Sequence, residues 1–167
     1  MLPVSGGKWF TEMSVGDHLL NYDSMRTLTH FKGHVMGGFG GSNKNIGIGC
    51  ADGRIGKAMI HAKNGNDWGV NEEELMEKIT ESTRATVDHF GAHNGFINVL
   101  RNMSVSCDCE GVEAEPVVTP NIASWRQETY WRWTRRAWIS CMLLSPTTGR
   151  RCPSASPPGT DTGSSAT

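Results

Sequence analysis

The sequence predicts an α/β protein, in which a partial sheet follows the order strand, glycine-rich loop, helix, strand and is followed by a disordered C-terminal tail. Three observations predict this class. A glycine-dense segment follows a short apolar run, an amphipathic helix precedes a second such run, and the composition changes near residue 120. Strands and helices that alternate along a chain are typical of α/β folds. We therefore place a partial α/β domain at residues 1–122 and the tail at residues 123–167.

The first strand is predicted at Asp23–Phe31, where β-branched and apolar residues are frequent. Residues 33–49 follow with seven glycines and lead directly to Cys50. Glycine loses more backbone entropy on folding than other residues, so such a run is tolerated where positive φ angles or close backbone approach are needed. We expect residues 33–49 to form a glycine-rich loop. A further short strand is expected to end at His61.

The helix is predicted to begin at Asn71 and to end at Gly91. Asn71 and Glu74 have the spacing of a capping box, and Gly91 fits the position after the last turn. Residues at helical spacing predict a buried stripe: Leu75, Met76, Ile79, Thr83, Val87 and Phe90. The opposite side carries charged residues: Glu77, Lys78, Glu81, Arg84 and Asp88. Gly95 then precedes Phe96–Leu100, a short apolar run that predicts a buried strand.

Two loops with reactive side chains, Gly33–Cys50 and Asn102–Glu110, each follow a predicted strand. Ligands gather at the carboxyl ends of strands in open α/β sheets, so a parallel arrangement brings both loops to one edge. Cys50, Cys107 and Cys109 then face one site, which favours a metal or cluster role. Five cysteines, an odd number without an export signal, disfavour a disulfide framework. The alternative is that the Cys-x-Cys pair consists of two loop thiols without a partner.

The glycine-rich loop by itself resembles a phosphate cradle, because backbone N–H groups and nearby lysines present positive charge. It has neither the Gly-x-Gly-x-x-Gly spacing of a dinucleotide fingerprint nor the Gly-Lys-Ser/Thr ending of a P-loop. A competing function is therefore a small-molecule enzyme that binds an anionic or phosphorylated ligand here. The candidate binding residues are Lys32, His34, Gly37, Gly38, Gly40, Gly41 and Lys44. The sequence identifies no catalytic residue.

Composition and charge exclude several classes of partner. The chain has 167 residues and a net charge of −1, so nothing global indicates nucleic acid or an anionic membrane surface. No run reaches the roughly 18 to 20 apolar residues that cross a bilayer, and the first residues lack the basic and apolar stretches of a signal peptide. We therefore expect a cytoplasmic protein without a membrane or nucleic-acid partner.

The composition of residues 121–167 differs from that of the rest of the chain. Residues 1–120 carry 10 Lys and Arg against 15 acids, whereas residues 121–167 carry 6 Arg against 2 acids. Four of the six tryptophans lie in this second part, with no sustained period of 2 or 3.6 around them. Residues 145–167 are predicted to be disordered because too little apolar surface offsets the entropy of ordering.

Several motifs occur in one order along the chain: His30–His34, Gly37–Gly41 with Lys44-Asn45, Ile48–Ala51, Ile97–Val99 and Asn102–Cys109. Over roughly residues 1–123, this pattern resembles the family known as domain of unknown function 362, whose members are commonly labelled iron–sulphur centre proteins. The resemblance implies an iron–sulphur cluster, a redox or electron-transfer role and a redox protein partner. Thiolates favour such clusters or zinc over hard cations, and Cys50, Cys107 and Cys109 are three candidate ligands.

Members of this family are about twice as long and carry an N-terminal α/β region that this chain lacks. The stretch Trp125–Met142 can be back-translated with permitted codons so that a neighbouring frame ends Leu-Ala-Leu-Asp-Gln-Ala-Cys-Val-Asp-Leu-Val-Tyr, which resembles the family's continuation. We therefore hypothesise that this chain is a fragment with a frameshifted tail from about residue 123. The frameshift then removes a fourth cysteine and leaves the cluster incomplete, while Cys141 and Cys152 are not ligands.

Overall fold

The computed structural model describes residues 1–63, 69–104, 106, 108–113, 121 and 123–127. The strands in this part of the chain are β1 (Leu2–Pro3), β2 (Glu12–Met13), β3 (Met25–His30), β4 (Lys32–His34), β5 (Gly38–Gly40), β6 (Asn94–Leu100) and β7 (Ala123–Gln127). The α-helices are α1 (Ser42–Gly49), α2 (Ile55–His61) and α3 (Glu72–Phe90). Short 3-10 helices lie at Asp17–Asn21, Gly91–His93 and Asp108–Glu113.

The largest sheet among the described residues has the strand order β3-β6-β7. β3 and β6 are parallel, with Met25 opposite Asn94 and His30 opposite Val99, and β7 is antiparallel to β6. Two antiparallel pairs, β1-β2 and β4-β5, lie outside this sheet. The chain between the two parallel strands contains α1, α2 and α3, and α1 packs on α3. The α/β class predicted from the sequence is confirmed.

The predicted helix is α3, and it begins and ends where the sequence indicates. Asn71 Oδ1 accepts a hydrogen bond from the Glu74 N–H at 2.8 Å, and Gly91 follows the helix with a φ of 52°. The helix packs into a core that it shares with β1, β2 and α2. The buried residues of this core are Leu2, Val4, Met13, Val15, Ala51, Ile60, Leu75, Ile79 and Ala85.

Two expectations about the faces of α3 are wrong. Lys78 is buried instead of exposed, because its ammonium pairs with Glu74 at 2.7 Å and donates to the Ala62 carbonyl at 2.9 Å. A buried charge is tolerated where it is paired and hydrogen-bonded in this way. Val87, expected in the core, is only half-buried.

The glycine-rich segment 33–49 is not one loop, as the sequence predicts, but the β4–β5 hairpin followed by α1. Gly47 lies where α1 approaches α3 most closely. A Cβ at this position would lie 2.5 Å from the Ile79 carbonyl oxygen and 2.7 Å from Thr83 Oγ1. Glycine lowers helix propensity by about 1 kcal/mol relative to alanine, but here it permits the contact that supports the helix.

Residues 55–61 form α2, so the expectation of a strand ending at His61 is wrong. Asp52 stabilises the start of this helix. Its carboxylate accepts hydrogen bonds from the N–H groups of Arg54 at 3.0 Å and Ile55 at 2.7 Å. These contacts satisfy N–H groups that lack a partner within the helix, and the charge suits the helix dipole. None of the helices in the described residues is both long enough and apolar enough to span a membrane.

β7 lies inside the segment that the sequence assigns to a disordered tail. It pairs with β6 from Ala123 opposite Leu100 to Gln127 opposite Phe96. The sheet therefore extends five residues past the predicted boundary at residue 122. Residues 128–167 lie outside the described residues, and their disorder stays a prediction.

Candidate functional site

The carboxyl ends of β3 and β6 lie at one edge of the sheet, because the two strands are parallel. β3 continues into the β4–β5 hairpin, and β6 continues into residues 101–113. The Gly33 N–H donates to the Ser104 carbonyl at 2.9 Å, and His30 Nε2 lies 2.7 Å from the Arg101 carbonyl oxygen. The two segments that the sequence predicts to meet at this edge therefore do meet.

Apolar side chains form the base of this edge. The rings of Phe31 and Phe39 stack with their centroids 5.2 Å apart, and they pack with the buried Leu100 and Met103. Stacked aromatic pairs add stabilisation beyond the burial of their surface. This cluster holds the hairpin against the segment that follows β6.

Asn98 on β6 anchors the start of α1. Its side-chain oxygen accepts the Ser42 N–H at 3.1 Å, and its amide nitrogen donates to Ser42 Oγ at 2.7 Å. Asn45 fixes the same helix to β3, because its amide donates to Thr29 Oγ1 at 2.7 Å. The candidate residues predicted from the sequence do not include Asn98. Its signal in the sequence is a polar residue at a strand position where the alternation predicts a buried side chain.

Positive charge gathers where the hairpin meets α1. A Cβ on Gly40 would lie 3.6 Å from Lys44 Cδ and 3.8 Å from Lys32 Cγ, so both lysine side chains pass close to this glycine. Gly41 directly precedes α1, whose first N–H groups form the positive end of the helix dipole. The structure therefore brings together four of the predicted binding residues: Lys32, Gly40, Gly41 and Lys44.

The other predicted binding residues shape the turn of the hairpin. His34 is buried, and its Nδ1 accepts the Gly37 N–H at 3.0 Å, so this nitrogen carries no proton in the contact. A Cβ on Gly37 would lie 2.5 Å from Met76 Sδ, which explains why the hairpin approaches α3 at a glycine. Gly38 has a φ of 69°, a conformation that favours glycine. These residues position the hairpin that carries Lys32.

Cys50 follows the last turn of α1, at the opposite end of the helix from Ser42. At a rise of 1.5 Å per residue, eight residues separate the two by about 12 Å along the axis. Burial raises the pKa of the Cys50 thiol, although the Thr86 hydroxyl and the Lys57 ammonium act in the opposite direction. Because the thiol is protonated at neutral pH, a metal bound here must displace its proton.

The Cys-x-Cys pair begins three residues after Ser104. Cys107 lies outside the described residues, and so does the side chain of Cys109, whose backbone is part of the 3-10 helix Asp108–Glu113. Among the described residues, no three His, Cys, Asp or Glu side chains are grouped so that they can hold a metal ion. The segment with the two cysteines nevertheless starts from the edge at which Ser104 binds the hairpin.

A parallel strand pair whose carboxyl edge joins a glycine hairpin to a Cys-x-Cys segment defines an α/β protein with a candidate ligand site at that edge. The model of the family described as Domain of unknown function (DUF362) matches residues 1–125. The chain belongs to this family, as its motifs indicate. No curated protein and no solved structure matches the chain.

Proposed function

We propose that this protein binds an iron–sulphur cluster, or another metal held by thiolates, at the carboxyl edge of the sheet. The hydrogen bond from Gly33 to Ser104 supports the proposal most directly, because it joins the hairpin to the segment that continues into Cys107 and Cys109. Thiolates are the ligands that such clusters and zinc prefer. When bound, a cluster accepts and donates single electrons, so the proposed role is electron transfer with a redox protein partner in the cytoplasm.

The residues of this chain have distinct parts in the proposed site. Cys107 and Cys109 supply two thiolates from one short segment, and Cys50 at the far end of α1 is the third candidate ligand. Asn98 holds α1 on the sheet, and the stacked pair around Phe31 holds the hairpin beside the cysteine segment. The ammonium groups of the hairpin and of α1 contribute positive charge near an anionic, thiolate-rich centre.

Anaerobic purification followed by iron and sulphide analysis and a visible spectrum tests this proposal. We expect a weakly metal-binding protein whose iron content falls further in C107S and C109S, because each substitution removes a thiolate. C152S is the matched control and should keep the iron content of the wild type. C50S assigns the third thiol: unchanged iron content places Cys50 outside the metal site.

The frameshift hypothesis makes the same experiment sharper. A chain whose reading frame is restored after Ala123 gains a cysteine, so it should hold more iron and sulphide than the present chain. The end of the family match at residue 125 supports a change of sequence near this point. Resequencing the gene decides whether the frame is broken. A restored chain without iron or sulphide after anaerobic reconstitution would contradict the cluster proposal.

A second candidate function is that of a small-molecule enzyme that binds an anionic or phosphorylated ligand on the hairpin. The convergence of Lys32 and Lys44 over Gly40, beside the start of α1, favours it. Cations and the N–H groups of a helix start are the groups that bind phosphate in many proteins.

Calorimetric titration with inorganic phosphate and with nucleotides tests this second function. K44M should weaken binding by about tenfold, because it removes a charged donor. K63M, which removes an exposed lysine elsewhere, is the matched control and should have no effect. A colourless protein that binds phosphate with this dependence on Lys44 supports the second function over the first, whereas equal binding by K44M and the wild type rules it out.

A further inference from the structure

The loop between β1 and β2 binds a carboxylate on α3 through three successive backbone N–H groups. The Lys8 N–H donates to Glu81 Oε1 at 2.7 Å. The Trp9 N–H donates to Glu81 Oε2 at 3.0 Å, and the Phe10 N–H donates to the same oxygen at 2.9 Å. Successive N–H groups that converge in this way form a nest, a backbone concavity that binds anions.

The backbone of the loop is shaped for this contact. Gly6 has a φ of 65°, which favours glycine and turns the chain so that the following N–H groups face one side. A Cβ on Gly7 would lie 2.8 Å from Glu81 Oε2 and 2.2 Å from the Phe10 carbonyl oxygen. No side chain therefore fits between the loop and the carboxylate.

Two side chains of the same loop make a separate contact one helical turn earlier on α3. Lys8 Nζ and Trp9 Nε1 both donate to Glu77 Oε2 at 2.7 Å. This pair keeps the loop near α3 independently of the backbone nest. The hairpin that the loop closes contributes Leu2 and Met13 to the core, so its attachment to α3 bears on the packing of the core.

We infer that the loop between β1 and β2 is a carboxylate-binding nest with Glu81 as its internal ligand, and that this contact is a latch between the N-terminal hairpin and α3. Two carboxylate oxygens accept all three N–H groups, which identifies a carboxylate as the ligand class. An external carboxylate therefore binds the nest when the Glu81 side chain is removed. None of the residues proposed for metal or phosphate binding takes part.

Chemical rescue tests this inference. Glu81→Ala removes a CH₂–COO⁻ group, which acetate resembles in size and charge. We expect the amides of residues 8–10 to exchange hydrogen about tenfold faster in Glu81→Ala than in the wild type, because each loses a bond to a charged acceptor. Acetate should slow this exchange again and raise the Tm of the variant, while sodium chloride at equal ionic strength should not.

Two variants control this experiment. Glu81→Gln fills the same space with a neutral amide, so it should show faster exchange at residues 8–10 without a response to acetate. Glu72→Ala removes an exposed carboxylate from the same helix and should leave the exchange unchanged. If Glu81→Ala does not fold, faster exchange confined to the loop of Glu81→Gln supports the latch. Wild-type protection in either variant, or equal effects of acetate and chloride on Glu81→Ala, would overturn the inference.

Discussion

At the scale of single residues, Cys50 is a thiol on which burial and neighbouring groups act in opposite directions. Burial raises its pKa, and this effect exceeds those of the Thr86 hydroxyl and the Lys57 ammonium, which both favour the thiolate. Because the pKa is higher in the folded than in the unfolded chain, Cys50 stabilises the fold below its unfolded pKa. This contribution is lost as the pH rises through the folded pKa, so stability should fall at alkaline pH.

Alkylation of Cys50 measures this balance. The thiol should react with iodoacetamide more slowly than a free cysteine at pH 8, because less of it is thiolate. Thr86→Val should slow the reaction by roughly a further threefold, since the loss of a hydroxyl donor raises the thiol pKa more. Thr86→Ser keeps the hydroxyl and is the control. Peptide mass spectrometry gives the rates, and a rate in Thr86→Val that equals the wild-type rate would exclude the hydroxyl as a source of thiolate stabilisation.

At the scale of elements, α1 and α3 differ in what holds them in helical form. α3 is long, is capped by Asn71 and carries a continuous buried stripe, so its own sequence predicts it. α1 has eight residues, two of them glycine, and its sequence resembles a loop. Asn98 and the close contact of Gly47 with α3 stabilise it instead. Both supports come from residues distant in sequence, which local patterns cannot reveal.

The two glycines of α1 make a matched pair for testing this explanation. Gly47→Ala should destabilise the protein by about 1–3 kcal/mol, because the added Cβ meets the Ile79 carbonyl at 2.5 Å. Gly49→Ala places its Cβ 3.6 Å from the nearest atom, Asn45 Oδ1, and should stabilise by about 0.5–1 kcal/mol through helix propensity. Urea denaturation measures both. Equal effects of the two substitutions would show that packing against α3 does not decide the residue at position 47.

Two positions on α3 test how the helix faces the core. Ile79 is 1% exposed, so Ile79→Asp should prevent folding, at a cost of more than about 4 kcal/mol. Val87 is half-buried, and Val87→Asp should therefore leave a folded protein with a lower Tm. Circular dichroism distinguishes the two outcomes. A folded Ile79→Asp would mean that this side of α3 is accessible to water.

The candidate site shows the same division between local and distant information. The meeting of the two loops follows from parallel strands and was predictable, and the hydrogen bond from Gly33 to Ser104 confirms it. The division of the glycine-rich segment into a hairpin and a helix was not predictable, because glycine by itself favours neither. Cys50 consequently lies at the far end of α1, although in the sequence it directly follows the glycine-rich segment.

At the scale of the whole molecule, β6 is the central strand on which the rest of the sheet depends. It pairs with β3 on one side and with β7 on the other, and Asn98 at its middle reaches α1. Its residues alternate strictly between buried and half-buried, as expected for a strand with a helix layer on one face. Loss of either neighbouring strand therefore affects the sheet and the candidate site together.

Truncation decides where the folded part of the chain ends. A chain of residues 1–127 keeps β7, whereas a chain of residues 1–122 exposes backbone N–H and C=O groups of β6 from Phe96 to Leu100. We expect the shorter chain to melt several degrees below the longer one. Equal Tm values would place the boundary at residue 122, where the change in composition predicts it. The chain of residues 1–127 should melt with the full chain if residues 128–167 are disordered, and a higher Tm of the full chain would show that those residues contribute to the fold.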